Sequence, residues 1–216
     1  NPPEALKQEL GSHVTFIDGV NVGNEFLTEE KMENMARVSD EKVKAILNSF
    51  PDYYAGIARE IGEKVKPDYI FVPLGSGSLF FGLWMGLQAS GMTDTKIIGV
   101  TLQGKNPLSR SAHAFHYQGK HKFLENFSHT SAADKIAQPY AGFEPQVNAL
   151  LHNGHVIIEV TEEELLRAHA HITNDLSIVS EPSAAIAFAG LEKMKFNSED
   201  TVVVVNTGDG FRENKK

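Results

Sequence analysis

The stretch YIFVPLGSGSLFFGLWMG, residues 69–86, constrains the fold more than any other. It opens on β-branched and aromatic residues, which suit a pleated, buried strand. It breaks at Gly-Ser-Gly-Ser and resumes as an apolar run of helical composition. A short, continuously apolar strand has to be covered on both faces, which is the habit of parallel sheets. A strand that passes through glycines straight into a helix is the first half of a βαβ unit.

Other segments extend that unit. Strands are predicted over 14–17, 69–74, 96–102, 155–160 and 201–206. The VVVV of 202–205 has the same uniform apolarity as YIFV, and both suit central strands. A helix is predicted over 53–64, where Tyr54, Ile57, Ala58 and Ile61 recur at helical spacing. A second, 161–174, opens with Thr161 and with Glu164 three residues on, the signature of a capping box. A third, 183–194, is alanine-rich with Pro182 near its first turn. Strands alternating with helices give an α/β fold of three layers, a mostly parallel open sheet with helices on both faces. Residues 19–40 are polar and read as an extended loop with a short helix. Residues 103–144 are rich in His, Ser and Gly, and too long for a structureless loop, so short helices or a functional flap are expected there.

Composition narrows the function. The 216 residues carry a formal net charge of −8, the wrong sign for a nucleic-acid partner. No apolar run approaches the roughly 18 residues of a membrane span, so no membrane partner is expected. Cysteine is absent, which excludes disulfides and thiolate chemistry and suits a cytoplasmic location.

The chemistry is concentrated in three places. Gly75, Ser76, Gly77 and Ser78 sit where a strand gives way to a helix. Free N–H groups there can bind an anion, and two hydroxyls add donors; a plain tight turn reads the same way. The spacing Gly75, Gly77, Gly82 is GxGxxxxG rather than GxGxxG, the next strand ends without an acidic residue, and no Gly-Lys-Ser/Thr occurs. Both nucleotide readings therefore weaken, and a small phosphorylated cofactor remains. The second place is SEPSAAIAFAGL, residues 180–191, where Glu181 precedes a helix and alone reads as a cap. The third is VVVVNTGDGFRE, residues 202–213, where Thr207 follows a buried strand in a turn-like setting. Ligands of open α/β sheets bind beyond the carboxyl ends of strands.

In this order, VPLGSGSLFFGLWMGL, EPSAAIAFAGL and VVVVNTGDGF resemble the fold type II pyridoxal-phosphate enzymes, the tryptophan synthase β superfamily with its threonine synthases, serine/threonine dehydratases and cysteine synthases. HTSAADKIAQP, residues 129–139, is similar to the segment those enzymes carry between glycine loop and EPS helix, and PDYYAGIAREI, residues 51–61, to the helix before the phosphate strand. The resemblance implies a pyridoxal 5'-phosphate cofactor held at its phosphate by Gly75, Ser76, Gly77 and Ser78, at its pyridine nitrogen by Thr207, and lined by Glu181. A neutral partner on that nitrogen leaves it largely unprotonated, which suits β-elimination and β-replacement. Residues 134–138, Asp134 to Gln138, would face the substrate. The resemblance further implies a small amino-acid substrate, a threonine synthase-like or dehydratase-like lyase or synthase, and a homodimer. Residues 51–216 would be the large pyridoxal-phosphate-binding α/β domain, and 1–50 a remnant of a smaller N-terminal domain with its connection.

The sequence departs from that family in one chemical respect. Such enzymes carry the cofactor as a Schiff base on a lysine in a Ser-x-Lys or Ser-Phe-Lys setting. No lysine here stands in either setting, so no catalytic residue is identified. The lysine is expected in a preceding N-terminal segment of the same enzyme or on a separate subunit, with this chain alone inactive. A non-catalytic module for a phosphorylated ligand is the competing expectation. The family also more often has glycine where this chain has Ser78 and Asp209. Nine histidines invite a metal reading, but His169 and His171 are two apart and cannot share a helix face, and His113 and His116 lack a clustered third ligand. No metal site is expected.

Overall fold

The computed structural model describes residues 41–118, 121–128 and 130–208. The predicted strand 14–17 and the loop 19–40 lie outside them. The chain divides into two compact units, residues 1–47 and 48–216, and the second carries the sheet. In order the elements are α1 (Glu41–Gly62), β1 (Tyr69–Pro73), α2 (Ser78–Ala89), β2 (Lys96–Leu102), β3 (Phe115–Gln118), β4 (His121–Leu124), α3 (Glu144–His152), β5 (Val156–Val160), α4 (Glu162–Asn174), α5 (Pro182–Leu191) and β6 (Val202–Val204); α1 starts in the first unit.

The main sheet has the order β5-β2-β1-β6, and every pairing in it is parallel. From β1 the chain steps to β2 on one side, then β6 returns to the other side. The direction of winding therefore reverses at the β1–β6 pair, the topological switch point at which such sheets bind ligands. Phe71 pairs with Val204, and the Val205 N–H donates to the Phe71 carbonyl at 2.9 Å. The segments leaving β1 and β6 thus emerge side by side at one edge.

Alternation along the strands divides the interior into two cores. Phe71, Ile98, Val100 and Leu102 face Leu165, Ala168 and Ile172 of α4 and Ala185, Ile186 and Ala189 of α5. Ile70, Val72, Leu74 and Ile97 face Ala58 of α1, Phe80, Leu83 and Leu87 of α2, and Val147 and Leu150 of α3. This is the expected three-layer α/β architecture. Layers approach closely through glycine. A Cβ on Gly190 would lie 2.5 Å from Val100 Cγ2, and one on Gly99 3.1 Å from the Phe80 ring.

Local chemistry fixes the elements as the sequence leads one to expect, with exceptions. Thr161 accepts from the Glu164 N–H while the Glu164 side chain accepts from the Thr161 N–H, completing the capping box of α4; such a cap is worth about 1 kcal/mol. The helix predicted over 53–64 extends back to Glu41 and continues through Pro51. The VVVV strand is not central: among the described residues β6 is an edge of the sheet, and its residues are only half-buried. The described part of 103–144 holds no helix of the sort expected before α3 begins. It forms a two-stranded antiparallel hairpin, β3–β4, whose Phe123 stacks on Tyr140 and His116. Its strands are four residues each, too short for a period to register.

His155 precedes β5, and its Nδ1 accepts the Ile97 N–H at 3.0 Å, with the Phe80 ring edge-on. Burial, aided by Lys96, pushes its pKa below the ordinary value. The unfolded chain therefore takes up the proton first, so this group's contribution to stability is intact above about pH 6.5 and is lost as pH falls from there through the lower value of the folded state. Thermal melts of the protein and of His155→Asn, which keeps an acceptor for Ile97, should converge toward pH 5. A parallel fall in both would remove His155 as the source.

Candidate functional site

The turn after β1 is shaped from three directions. Gly77 is the N-cap of α2 in the left-handed region, φ 90° and ψ −6°, with no side chain of its own to cap it, while the Ser78 N–H reaches Ser76 Oγ at 3.4 Å. The first N–H groups of α2 are therefore without intrahelical partners, as at any helix start. The Ser76 and Ser78 hydroxyls lie 3.0 Å apart, and the Ser76 carbonyl accepts from the Phe143 N–H at 3.0 Å. A Cβ on Gly77 would sit 2.7 Å from Val147 Cγ2 and 3.1 Å from Phe143 Cβ. Glycine is thus required both by φ and by the closeness of α3.

Two side chains not singled out in the sequence hold the turn. Asn106, fully buried, donates from Nδ2 to the carbonyls of Gly75 at 3.0 Å and Ile136 at 3.1 Å, while its Oδ1 accepts from the Leu108 N–H at 2.8 Å. With its amide oriented so that oxygen faces the donor and nitrogen the acceptor, Gln138 accepts from the Ser76 N–H at 2.8 Å and donates to the Tyr140 carbonyl at 3.3 Å. An asparagine in a loop of turn-forming residues carries no signal of that role. Only the fold brings it under residues 30 positions away in the chain.

The Asn106 loop is itself anchored. Ser109 Oγ, Ser111 N–H and Ser111 Oγ all donate to the Glu159 carboxylate of β5, at 2.8, 3.0 and 2.5 Å. Burial would push this carboxyl up, but bonds from Ser111 and Ser109 overcome it and hold it below the usual range. The same loop walls a cleft of about 350 Å³ bordered by Lys105, His113 and Asn126.

Beside this turn lies the junction of α5 and β6. Glu181 is the N-cap of α5, yet its side chain makes no cap bond. Its carboxylate pairs with Lys135 Nζ and lies over Gly208, where a Cβ would come 2.4 Å from it. Ser180 Oγ donates to Asn206 Oδ1 at 2.8 Å, and the Glu181 N–H donates to the Gly208 carbonyl at 3.3 Å. The capping reading of Glu181 is thus replaced by a role between two loops. Thr207 is exposed at the same edge.

Residues 131–138 run between the two regions. Glu162, placed by its sequence at a helix start, accepts from Ser131 Oγ at 2.8 Å and the Ala132 N–H at 2.6 Å. The Lys135 N–H donates to Ser183 Oγ at 3.2 Å, and the Gln138 N–H to the Lys105 carbonyl at 3.1 Å. Lys135 therefore meets Glu181, and Gln138 meets the glycine turn.

A family model described as "Pyridoxal-phosphate dependent enzyme" matches residues 4–208. The chain belongs to the pyridoxal-phosphate dependent enzyme family. A threonine synthase of Methanocaldococcus jannaschii is 24% identical over 202 residues, 86% of this chain and 49% of that protein. The biosynthetic L-threonine dehydratase IlvA of Bacillus subtilis is 26% identical over 204 residues, 90% of this chain and 46% of that protein. The chain spans about half the length of the curated relatives it matches. Among solved structures, a fungal L-serine ammonia-lyase from Rhizomucor miehei superposes with a TM-score of 0.60 at 22% identity, covering 74% of this chain and 51% of that one, which shows the fold. In this pyridoxal-phosphate family member the 75–78 turn follows β1, and Glu181 meets Gly208 beyond the end of the neighbouring β6.

Proposed function

We propose that this chain is the cofactor-holding part of a pyridoxal-phosphate-dependent lyase or synthase that acts on a small amino acid. Its nearest chemistry is the β- or γ-elimination or replacement of a threonine synthase or dehydratase. The observation that carries the reading is the side-by-side emergence, at the switch point between β1 and β6, of a glycine-capped helix N-terminus with two serine hydroxyls and of the segment that carries Thr207 beyond β6.

The residues present fit the cofactor. A phosphate dianion needs several donors and a positive dipole end, and the start of α2 offers both. The first turn of α2 carries no acidic side chain to oppose it. Gly77 and Ser78 would hold the phosphate through their N–H groups and Ser76 and Ser78 through their hydroxyls, with Gly75 allowing close approach. Thr207 would meet the ring nitrogen as a neutral partner, leaving it without a formal positive charge. Glu181, fixed by Lys135, would border the ring without bonding its own helix. When bound, the cofactor supplies an electron sink for charge developing at the substrate α-carbon. The chain's own part is to grip the phosphate, orient the ring and keep its nitrogen neutral. The lysine that carries the cofactor, the remainder of the enzyme, a homodimeric assembly and a cytoplasmic location belong to the same proposal.

The test is spectroscopic. Added pyridoxal phosphate should bind saturably, and inorganic phosphate should compete. In the complete enzyme, borohydride should fix the cofactor to a lysine outside these 216 residues. Binding that phosphate does not weaken would contradict the assignment of the turn.

A further inference from the structure

We propose that Asn106 is a positioning residue that sets the phosphate-binding geometry of the Gly75–Ser78 turn from beneath it. The inference rests on the reading of the turn as the phosphate site.

An asparagine side chain offers two N–H donors and one carbonyl acceptor. Asn106 uses both functions, its nitrogen on the Gly75 and Ile136 carbonyls with Leu74 at 3.5 Å sharing, and its oxygen on the Leu108 N–H. It is fully buried. A buried amide carries a desolvation cost that an apolar side chain of equal volume avoids, so filling space does not account for it. What the amide does is draw in carbonyls. In a trans peptide the carbonyl of one residue and the N–H of the next point in opposite directions. Holding the Gly75 carbonyl inward therefore turns the Ser76 N–H away from Asn106, to the side where Gln138 Oε1 now accepts it. The same amide fastens Ile136, which lies between Lys135 at Glu181 and Gln138 at Ser76. One side chain thus sets the turn and registers it against the 131–138 segment. Its own loop cannot drift, because the Glu159 carboxylate holds Ser109 and Ser111, and Ser109 Oγ accepts from the Gly104 N–H at 2.8 Å.

Asn106→Asp keeps the shape and, ionised, cannot donate; Asn106→Leu keeps the volume and has no polar group. Both should weaken binding of pyridoxal phosphate and of inorganic phosphate about 10-fold or more, as expected for loss of hydrogen-bonded geometry at a charged ligand, and should move the ³¹P resonance of the bound cofactor. Ile172→Val, on α4, serves as a control that lowers the melting temperature at a residue outside the hydrogen bonds of the turn. In the unaltered protein, where no variant has to fold, the Asn106 side-chain amide resonances should shift when phosphate is added, although the residue touches no solvent. Unchanged affinity in both Asn106 variants, an equal loss in Ile172→Val, or a silent Asn106 amide in the phosphate-saturated protein would overturn the inference. Failure of the unaltered protein to bind either ligand would instead remove the reading on which it rests.

Discussion

Gly86→Ala should lower the melting temperature by roughly 5–10 °C, taking about 2–3 kcal/mol at 2–4 °C each for a chain of this size. Two effects oppose each other. Alanine is the better helix former by about 1 kcal/mol. Against this, a Cβ on Gly86 would lie 2.2 Å from the Ala55 carbonyl oxygen and 2.7 Å from Ala58 Cβ, so the backbones of α1 and α2 have to separate. Gly82, one turn earlier, meets the Pro51 carbonyl oxygen at 2.5 Å in the same way. Because the obstacle is mainly backbone rather than a flexible side chain, the steric cost exceeds the propensity gain. Gly56→Ala supplies the contrast. It lies inside α1, where an added methyl would have nothing within 4 Å, so it should gain stability by up to about 1 kcal/mol. Identical chemistry with opposite signs would confirm that α1 packs onto the glycines of α2. A neutral or stabilised Gly86→Ala would show that they do not.

The second large effect falls on binding rather than stability. Gly77→Ala places a side chain at φ 90°, where L residues are strained, and presses its Cβ against Val147 and Phe143. Phe80, Leu83 and Leu87 remain buried and keep α2 in place, so the protein should stay folded. The N–H groups at the head of α2 would be re-aimed. Losing two bonds to a charged phosphate removes about 3 kcal/mol, or roughly 100-fold in affinity. Calorimetric titration with pyridoxal phosphate reads this directly. Gly208→Ala should act at the other end of the site: its Cβ would land on the Glu181 carboxylate and displace it from Lys135.

Much of this was legible in the sequence because it is local. The apolar run of 69–74 and the glycines after it specify a strand and a turn within a few residues, and Thr161 with Glu164 specifies a helix start within four. The edge position of β6 was not legible, since an apolar run is the same whether one neighbour or two pairs with it. The hairpin β3–β4 was missed for want of length. At the candidate site, the glycine turn and the two downstream motifs could be named as a set. Their supports could not. Asn106, Gln138, Lys135 and Glu159 act through partners 30 or more residues away, beyond the reach of spacing rules, and only the parallel sheet brings them together.

On the proposed function, the turn at the head of α2 holds the cofactor's phosphate while Thr207 faces its ring. Backbone amide resonances recorded during titrations with pyridoxal phosphate and with inorganic phosphate test this most directly. The amides of Ser76, Gly77, Ser78 and Leu79 should shift with both ligands, and Thr207 with pyridoxal phosphate alone. Shifts confined to the cleft of Lys105 and His113, or Thr207 unmoved by the cofactor, would contradict it.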